Sequence, residues 1–306
     1  MNAIAEALAG VQMGAAQSYK NLWTIPLVAA MDMPADYLTL DEALEQGARV
    51  REVTEGGSVP ELKFENDTAH KVLLLDGEEL VGARQNRVLN LTLLVSVGQH
   101  LVIPVSCVER GRWSYRTPEF SSSARHLYAR GKSSKQRQVS ASLRREGSRR
   151  SDQTAVWEEI DSKFGSLDAS SATSAMGDIY EQQKIALDDY TQHIPSVARQ
   201  VGASYAVNGR IVGLELFDSP ATFKKAHVKL ITSYAMDALE QDQATVPAID
   251  AAAVEAFFAD LKNSTETVYP SLGEGMDVRL QHVDLSAAAL VTEGRVIHLA
   301  AYRVAA

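Results

Sequence analysis

Short apolar runs separated by turn signals occupy the first third of the chain. In Val88–Val95, every second residue from Leu89 onward is leucine or valine, a period close to two that is typical of a β-strand. Dipeptides such as Gly56-Gly57 and Asp76-Gly77 indicate turns between the runs. The pattern predicts strands at Leu22–Met31, Arg49–Thr54, Glu61–Glu65, Lys71–Leu75, Glu79–Arg84, Val88–Val95 and Leu101–Val108.

Apolar residues take up a helical spacing in the middle of the chain. Trp157, Ile160 and Phe164 form a stripe with intervals of three and four. The basic stretch Ser121–Glu146 has no broad apolar stripe, so we expect either an exposed helix or a mobile arm there. The predicted helices are Leu40–Gln46 after Thr39 or Asp41, one along Trp157–Phe164, one along Met176–Tyr190 that ends by Pro195, one beginning at Ser219-Pro220, and one near Asp250–Lys262.

Strands return in the last third, where Asn208-Gly209 is a strong hairpin signal. The predicted strands there are Ala203–Val207, Arg210–Phe217, Met276–His282, Ala287–Val291 and Arg295–Arg303. The whole pattern predicts an α+β fold with an antiparallel sheet, as a sandwich or partly closed barrel, in the N-terminal part. A helical middle follows, and then C-terminal strands with helices packed on the sheet.

The pattern also predicts how the chain divides. We expect a helical tail at residues 1–20, a strand-rich part with the main motifs at 21–118, and a basic arm at 119–150. Helices and C-terminal hairpins at 151–306 are expected to form one composite unit with 21–118.

Composition alone is ordinary, but the charge is unevenly distributed. The 306 residues carry 39 acidic and 30 basic side chains, a net charge of −9. Twelve of the basic residues and only two acids lie between Arg110 and Arg150, which leaves a net charge of −19 on the rest of the chain. No apolar run is long enough to span a membrane, and Cys107 is the only cysteine, so a disulfide framework is excluded. Residues 1–20 do not resemble a secretory signal, and we therefore expect a cytoplasmic protein.

The densest polar stretch lies between two apolar strands, at residues 76–87. Arginine presents a planar donor fork that suits phosphate, and a carboxylate suits ribose hydroxyls or an attacking water. Adjacent Glu78 and Glu79 point to opposite faces of a strand, so we expect only one of them to face a given site. A solvated charged turn with an Arg–Glu pair would explain the same residues. The candidates are Glu78, Glu79, Arg84, Gln85, Asn86 and Arg87.

A second polar cluster follows the strand at Leu101–Val108. Cys107 and Glu109 share one strand face and are candidates for an active-site floor, but no histidine lies nearby in sequence to activate the thiol. The alternative, favoured for Cys107, is a small buried apolar residue. Arg112 and Trp113 resemble a surface on which a base could stack, and an aromatic plug over the sheet edge is the other interpretation.

The sequence supports no metal site and identifies no cofactor. The seven histidines show no ligand spacing, and neither a P-loop nor a GxGxxG motif is present. A Mg²⁺ ion held by carboxylates near Asp76, Glu78 or Glu79 stays open. Nucleic acid is the less favoured partner for the basic arm, because the rest of the chain is acidic and the arm has few aromatic residues. An intramolecular role, or contact with the acidic face of a partner, is the alternative.

Three segments together resemble one bacterial and archaeal family. They are LDGEELVGARQNRVLN at Leu75–Asn90, IPVSCVERGRWSY at Ile103–Tyr115 and GRIVGLELFDSPATF at Gly209–Phe223. The family is the ARG-and-rhodanese-phosphatase-superfamily-associated proteins, where ARG stands for ADP-ribosylglycohydrolase. The resemblance implies a link to ADP-ribose or nucleotide metabolism and a partner of the ADP-ribosylglycohydrolase or phosphatase type. It implies no particular reaction.

These observations leave three functional hypotheses. The first is a site for a nucleotide-like or ADP-ribose-like ligand that is also hydrolysed, with Glu78, Glu79, Cys107 and Glu109 as catalytic candidates. Arg84, Gln85, Asn86, Arg87, Arg112 and Trp113 are the ligand-binding candidates. The second is a noncatalytic module that docks a partner enzyme or RNA through residues 110–150. The third, a cysteine-dependent hydrolase or transferase, ranks below both.

Overall fold

The chain forms two compact units in a computed structural model that describes residues 3–241, 249 and 251–304. The sheet unit contains the chain up to Ala35, the segment Ala186–Ser271 and the chain from Gly275 onward. The barrel unit contains Asp36–Ile185 and Leu272–Glu274. Helices and antiparallel strands occur in both, so the predicted α+β class is confirmed. A composite unit of 21–118 with 151–306 stays a prediction.

The described elements are numbered in chain order. The strands are β1 Val11–Met13, β2 Gln17–Tyr19, β3 Leu22–Ala29, β4 Tyr37–Thr39, β5 Arg49–Glu52, β6 Glu61–Glu65, β7 Lys71–Leu74, β8 Glu78–Gly82, β9 Arg87–Leu89, β10 Leu93–Val95, β11 His100–Cys107, β12 Phe120–His126, β13 Gln200–Val207, β14 Arg210–Phe217, β15 Thr265–Pro270, β16 Met276–His282, β17 Leu285–Thr292 and β18 Arg295–Arg303. The helices are α1 Ala3–Ala9, α2 Leu40–Glu45, α3 Ala129–Glu146, α4 Gln153–Ser166, α5 Met176–Gln182, α6 Lys184–His193, α7 Pro220–Leu239 and α8 Ala251–Lys262.

A closed six-stranded barrel forms the centre of the barrel unit. Its strands are antiparallel and follow the order β11-β6-β5-β12-β8-β9. Closure removes the exposed strand edges that an open sheet would present. The core of this unit is apolar and includes Val50, Leu62, Phe64, Leu80, Leu89, Ile103 and Val105. The predicted antiparallel, barrel-like architecture is therefore observed, and the barrel is fully closed.

The single strand predicted at Val88–Val95 is wrong, because the chain changes sheets within it. β9 belongs to the barrel, whereas β10 pairs with β7 in a three-stranded sheet that β4 completes. Asn90 lies at the break, where its side-chain Oδ1 accepts a hydrogen bond of 2.6 Å from the Ser106 hydroxyl. The apolar residues of both halves pack into the same core, but the two halves belong to different sheets.

The basic segment is more ordered and more buried than its composition predicts. β12 is a barrel strand, and α3 follows it and packs against α4. Serine, glycine and lysine side chains fill the inner face of α3, and Lys132 and Lys135 are buried. The expectation of an exposed helix or mobile arm is therefore wrong, because hydropathy counts a lysine as polar although its methylene stem packs like an apolar chain.

A nine-stranded antiparallel sheet forms the sheet unit. Its main order is β1-β3-β13-β14-β18-β17-β16-β15, and β2 also pairs with β3. Helix α7 packs on β13, β14 and β3, while α1 and α8 contact the side of the sheet that carries the apolar core. The predicted hairpin is confirmed: Asn208 and Gly209 join β13 to β14 with φ angles of 51° and 74°. Two successive positive φ angles are what a tight hairpin of this kind requires.

The predicted helices are confirmed, with one division. The helix expected along Met176–Tyr190 is two helices, α5 and α6, with Gln183 at the break. The helix expected near Asp250–Lys262 is α8, and Asp250 itself lies outside the described residues. Within the described ranges, no helix is both long and apolar enough to cross a membrane.

Candidate functional site

Three connections between barrel strands meet at one end of the barrel. The β5–β6 loop begins after Glu52, where β5 pairs with β6, and the β8–β9 loop ends before Arg87, where β9 pairs with β8. The β11–β12 loop begins after Cys107, which pairs with Arg87 of β9. These three loops therefore lie at the same rim of the barrel. We use the term barrel mouth for the side chains that these loops and strand ends bring together: Glu52, Arg84, Arg87, Trp113 and Tyr115.

The loop between β8 and β9 begins with a backbone conformation that requires glycine. Gly82 has a φ of +135°, and a Cβ there would lie 2.6 Å from the Thr117 Oγ1 and 2.7 Å from the Glu119 carbonyl oxygen. Ala83 follows with a φ of +35°. The chain consequently turns sharply and carries Arg84 to the barrel mouth.

Arg112 holds this loop in place from below. Its guanidinium is buried and donates to acceptors on the loop and on its own turn. The acceptors are the carbonyl oxygens of Ala83 (2.6 Å), Ser114 (2.8 Å) and Gly82 (3.2 Å), the Asn86 Oδ1 (3.1 Å) and the Glu109 Oε2 (2.6 Å). Because Nη1 and Nη2 donate within the protein, and only Nε is without a partner among the described residues, Arg112 acts as a structural anchor in this arrangement.

Glu109 is the buried counter-ion of Arg112. Its Oε2 also accepts from the Asn86 backbone N–H at 3.0 Å, and its Oε1 accepts from the Thr173 hydroxyl at 3.0 Å. Burial alone would raise the pKa of the Glu109 carboxyl, but the hydrogen bonds from Arg112, Asn86 and Thr173 outweigh it and hold this pKa below the ordinary value. Glu109 is thus an ionised anchor rather than a group that readily exchanges a proton.

Arg87 is buried at the rim with spare donor capacity. Its Nε donates to the Val59 carbonyl at 3.1 Å and its Nη1 to the Asn86 carbonyl at 3.4 Å. The buried Nη2 has no hydrogen-bond partner in the described part of the chain, and no carboxylate oxygen there lies within 4 Å of this guanidinium. Burial lowers the pKa of Arg87, while the charges of Cys107, Glu52 and Glu109 raise it. Arginine stays protonated under such conditions, so the site is cationic.

Arg84 and two aromatic rings complete the rim. The Arg84 guanidinium carbon lies 5.5 Å from the centroid of the Trp113 ring and 4.6 Å from that of Tyr115, and the Arg87 guanidinium carbon lies 5.8 Å from the Trp113 centroid. Arg84 donates to the Glu55 carbonyl at 2.7 Å, and its Nε is buried without a partner among the described residues. Trp113 and Tyr115 are 45% and 49% exposed, so ring surface remains open beside both cations.

Glu52 is the acid of the barrel mouth. Its Oε2 accepts a long hydrogen bond of 3.4 Å from the Ser58 N–H, and its Oε1 is buried without a hydrogen-bond partner among residues that the structure describes. A Cβ at Gly57 would lie 3.3 Å from the Glu52 Oε2 and 2.8 Å from the Arg84 Cδ, which places the two side chains side by side. Sequence reasoning missed Glu52, because it ends an ordinary amphipathic strand and lies outside every motif.

Cys107 is buried beside the barrel mouth, as predicted for a structural thiol. Its Sγ lies 3.2 Å from the Gln85 Oε1, and its backbone exchanges two hydrogen bonds of 2.7 and 2.8 Å with the Gln153 side chain. Burial raises the pKa of the Cys107 thiol more than the nearby Arg87 lowers it. The thiol form therefore dominates at neutral pH, which does not favour nucleophilic chemistry.

Glu79 has different neighbours. The buried carboxylate accepts from the Ser123 hydroxyl at 2.8 Å and from the Arg125 Nη1 at 3.3 Å, both through Oε2. Its Oε1 is buried without a partner among the described atoms and faces Gly177, where a Cβ would lie 3.5 Å away. Burial raises the pKa of Glu79 above the ordinary value in spite of Arg125. Among the candidate carboxyls, Glu79 is the one for which burial raises the pKa and so favours the protonated form.

Glu78 points elsewhere and stabilises a turn. Its Oε2 accepts from the Leu75 N–H at 3.0 Å, and its Oε1 lies 3.9 Å from the Nε2 of buried His126. Glu78 and Glu79 thus contact separate groups, in agreement with the expectation that only one of two adjacent strand residues would face a given site.

The structure therefore sorts the sequence candidates into groups. Arg84, Arg87 and Trp113 come together at the barrel mouth, with Cys107 and Gln85 buried beside Arg87. Asn86, Glu109 and Arg112 form the anchor below the β8–β9 loop. Glu79 pairs with Arg125, and Glu78 lies at the Asp76-Gly77 turn.

Two features of the sheet unit were not anticipated. Ligand atoms of Asp260, His282 and Asp284 lie within 4.8 Å of one another, a spacing that a metal ion could use. Arg303 already forms ion pairs with both carboxylates, at 2.5 and 2.8 Å, so part of the negative charge of the cluster is compensated internally. A separate surface cleft of about 370 Å³ is lined in part by Arg199 and Lys224.

These features define an α+β protein in which a closed antiparallel barrel carries a cationic, partly aromatic mouth. The chain belongs to the ARG and Rhodanese-Phosphatase-superfamily-associated Protein domain family, whose model matches residues 10–302. The resemblance noted in the sequence is thereby confirmed. No curated protein and no solved structure matches the chain significantly.

Proposed function

We propose that the barrel mouth binds a nucleotide-like ligand. Its phosphate would lie against Arg84 and Arg87, and its base would pack on the exposed faces of Trp113 and Tyr115. The observation that carries this proposal is the buried Nη2 of Arg87, which lacks a partner among the described residues although a buried donor is normally hydrogen-bonded. A cation without a counter-ion beside an open aromatic ring suits an anionic ligand with a planar group.

ADP-ribose belongs to this ligand class. It combines a base, phosphates and sugar hydroxyls, and the family to which the chain belongs is described by its association with ARG proteins. That description is a record of association, so the chemistry of the mouth has to carry the proposal. A hydrolytic step would need a group that exchanges a proton near neutral pH. Among the candidate carboxyls, burial raises the pKa of Glu79, but its contacts are with Ser123 and Arg125 rather than with the barrel mouth, so the geometry supports ligand binding and not a hydrolytic step.

Thermal unfolding of the full chain with ADP-ribose, AMP, ADP and GMP tests the proposal. A ligand present at 100 times its Kd should add about 2.7 kcal/mol to the free energy of unfolding, which raises the Tm. Trp113→Ala and Arg84→Ala should each reduce the ligand-induced rise, while Arg144→Ala, an exposed basic residue at the end of α3, should leave it unchanged. The proposal is wrong if no nucleotide at millimolar concentration changes the Tm of the wild-type protein.

A docking function for residues 110–150 gains little from the structure. Seven basic side chains of this segment form ion pairs with acids of the same unit: Arg110, Arg112, Arg116, Arg125, Arg130, Lys135 and Arg150. The segment's excess charge is thus largely balanced where it lies. Fewer of its cations are available to a partner than the sequence count implies, and nucleotide binding is the better supported function.

A further inference from the structure

Glu52 gives the barrel mouth a hydrogen-bond acceptor as well as its donors. The carboxylate has one oxygen with a single long hydrogen bond and one with no partner in the described chain, and no basic side chain there lies within 4 Å of it. An ionised carboxylate can accept up to about four hydrogen bonds. Glu52 is half-buried and its buried Oε1 has unused acceptor capacity, which a ligand with paired donors would satisfy.

Arg84 connects this acceptor to the aromatic rings. Its guanidinium lies over the rings of Trp113 and Tyr115, and its side chain lies next to Glu52 beside the Gly57 backbone. Glu52 is also close enough to Arg87 for its charge to affect the pKa of that guanidinium, although burial has the larger effect. A base that packs beside Arg84 on these rings would therefore lie near the Glu52 acceptor.

We propose that the barrel mouth selects guanine among the bases, with Glu52 accepting from the N1–H and N2 amino groups while Arg84 and Arg87 hold the phosphate. This inference rests on the proposed nucleotide-binding function. Guanine is the base whose edge places two adjacent donors next to an acceptor. Adenine offers one amino group beside ring-nitrogen acceptors, which a carboxylate repels. Uracil flanks its single N–H with two carbonyls, and cytosine has one amino group beside an acceptor nitrogen.

Affinity measurements by calorimetry with GMP, IMP and AMP test this assignment on the 306-residue chain. These three ligands share the same sugar and phosphate, and IMP differs from GMP only by the missing N2 amino group. We expect GMP to bind at least about 10-fold more tightly than AMP, with IMP between them, since a good bidentate pair discriminates by this order. Glu52→Gln should bring the three affinities to within about 2-fold of one another while AMP binding persists.

The matched control is Glu55→Gln, which makes the same substitution at a nearby exposed acid. This variant should keep the preference for GMP. Equal affinities for GMP and AMP in the wild-type protein overturn the guanine assignment and leave nucleotide binding intact. Preference for GMP that survives in Glu52→Gln also overturns it. If Glu52→Gln weakens GMP and AMP equally, and the 2′-deoxy forms show no such effect, Glu52 binds the ribose instead. Absence of binding by all three ligands contradicts the underlying proposal.

Discussion

The Nη2 of Arg112 lies 2.6 Å from the Oε2 of Glu109, and both side chains are buried beneath the loop that carries Arg84. The same guanidinium donates to the Gly82 and Ala83 carbonyls at the start of that loop. The pair therefore connects the turn after β11 to the β8–β9 loop at several points. Both residues were candidates for direct function in the sequence, and their contacts instead support a role in holding the barrel mouth together.

Glu109→Gln should lower the free energy of unfolding by about 3–5 kcal/mol, because it leaves the Arg112 charge buried without its partner. Urea denaturation at neutral pH measures the effect. Asp161→Asn is the control: the Asp161–Arg110 pair is exposed at both ends and should contribute no more than about 1 kcal/mol. Equal costs for the two substitutions would contradict the anchoring role.

Glu79 and Glu109 should affect the pH dependence of stability in opposite directions. The pKa of Glu109 is lowered in the fold, so its stabilising contribution is present above the unfolded-state pKa of about 4.3 and is lost as the pH falls through the folded value. The pKa of Glu79 is raised by burial, so the folded state holds the extra proton and stability declines as the pH rises from about 4.3 through the folded pKa.

Urea denaturation between about pH 2 and pH 8 measures this difference, because the Glu109 contribution changes below the unfolded-state pKa of about 4.3. The free energy of unfolding of Glu79→Gln relative to wild type should become more favourable as the pH rises, since the substitution removes a carboxyl whose ionisation opposes folding. For Glu109→Gln, the free energy of unfolding relative to wild type should become less favourable as the pH rises. A pH-independent difference for Glu79→Gln would show that its carboxyl is not perturbed in the fold.

Gly82→Ala should destabilise the protein by more than Gly98→Ala. Both glycines have positive φ angles, but a Cβ at Gly82 would collide with the Thr117 hydroxyl and the Glu119 carbonyl, whereas nothing lies within 4 Å of one at Gly98. The φ of +71° at Gly98 lies in the left-handed region, where an L residue costs about 1–2 kcal/mol. The φ of +135° at Gly82 lies where essentially only glycine occurs, and the collision adds to that strain. Chemical denaturation measures the loss in the free energy of unfolding for both variants, and equal losses would contradict the special backbone and close contacts at Gly82.

The local pattern of residues was sufficient to predict the individual helices and strands. It was insufficient to predict how the strands assemble into sheets. The N-cap at Thr39 and the Asn208-Gly209 hairpin depend on residues a few positions apart, and both are where the sequence predicts them. The break at Asn90 depends on which sheet each half of the segment joins, a long-range choice that alternation does not encode. Closure of the barrel through β12 also depends on long-range strand pairing. In addition, a serine-rich strand such as Phe120–His126 gives a weak local signal.

For the candidate site, the sequence located the right segments and could not assign roles within them. Arg84, Arg87 and Arg112 are indistinguishable by type and spacing, yet Arg112 is bound to Glu109 while the other two have no carboxylate within 4 Å among the described residues. Which arginine meets a counter-ion depends on how separate loops converge. Glu52 was missed for the same reason, since its neighbours come from the loop carrying Arg84 and from Gly57.

Lys135→Met should be strongly destabilising, although the sequence places Lys135 in a polar, basic segment. Its ammonium is buried, pairs with Asp76 and donates to the Leu89 carbonyl at 2.6 Å. Removing it leaves the Asp76 carboxylate buried without this partner, which costs about 3–5 kcal/mol in the free energy of unfolding. Arg144→Met, an exposed change in the last turn of the same helix, should cost less than about 0.5 kcal/mol by the same denaturation assay. Similar losses in the free energy of unfolding for the two variants would indicate that α3 is a surface helix.

Cys107 should react with thiol reagents such as 5,5′-dithiobis(2-nitrobenzoate) only as fast as the protein opens. Its side chain is buried and its pKa is raised by that burial, so both access and thiolate are limited in the native state. Absorbance measurements should show slow labelling without denaturant and rapid labelling in its presence. Ala172→Cys in a Cys107→Ser background supplies an exposed thiol in the same unit and should label rapidly in both conditions. Rapid labelling of native Cys107 would contradict its burial and restore the cysteine-dependent chemistry that this geometry disfavours.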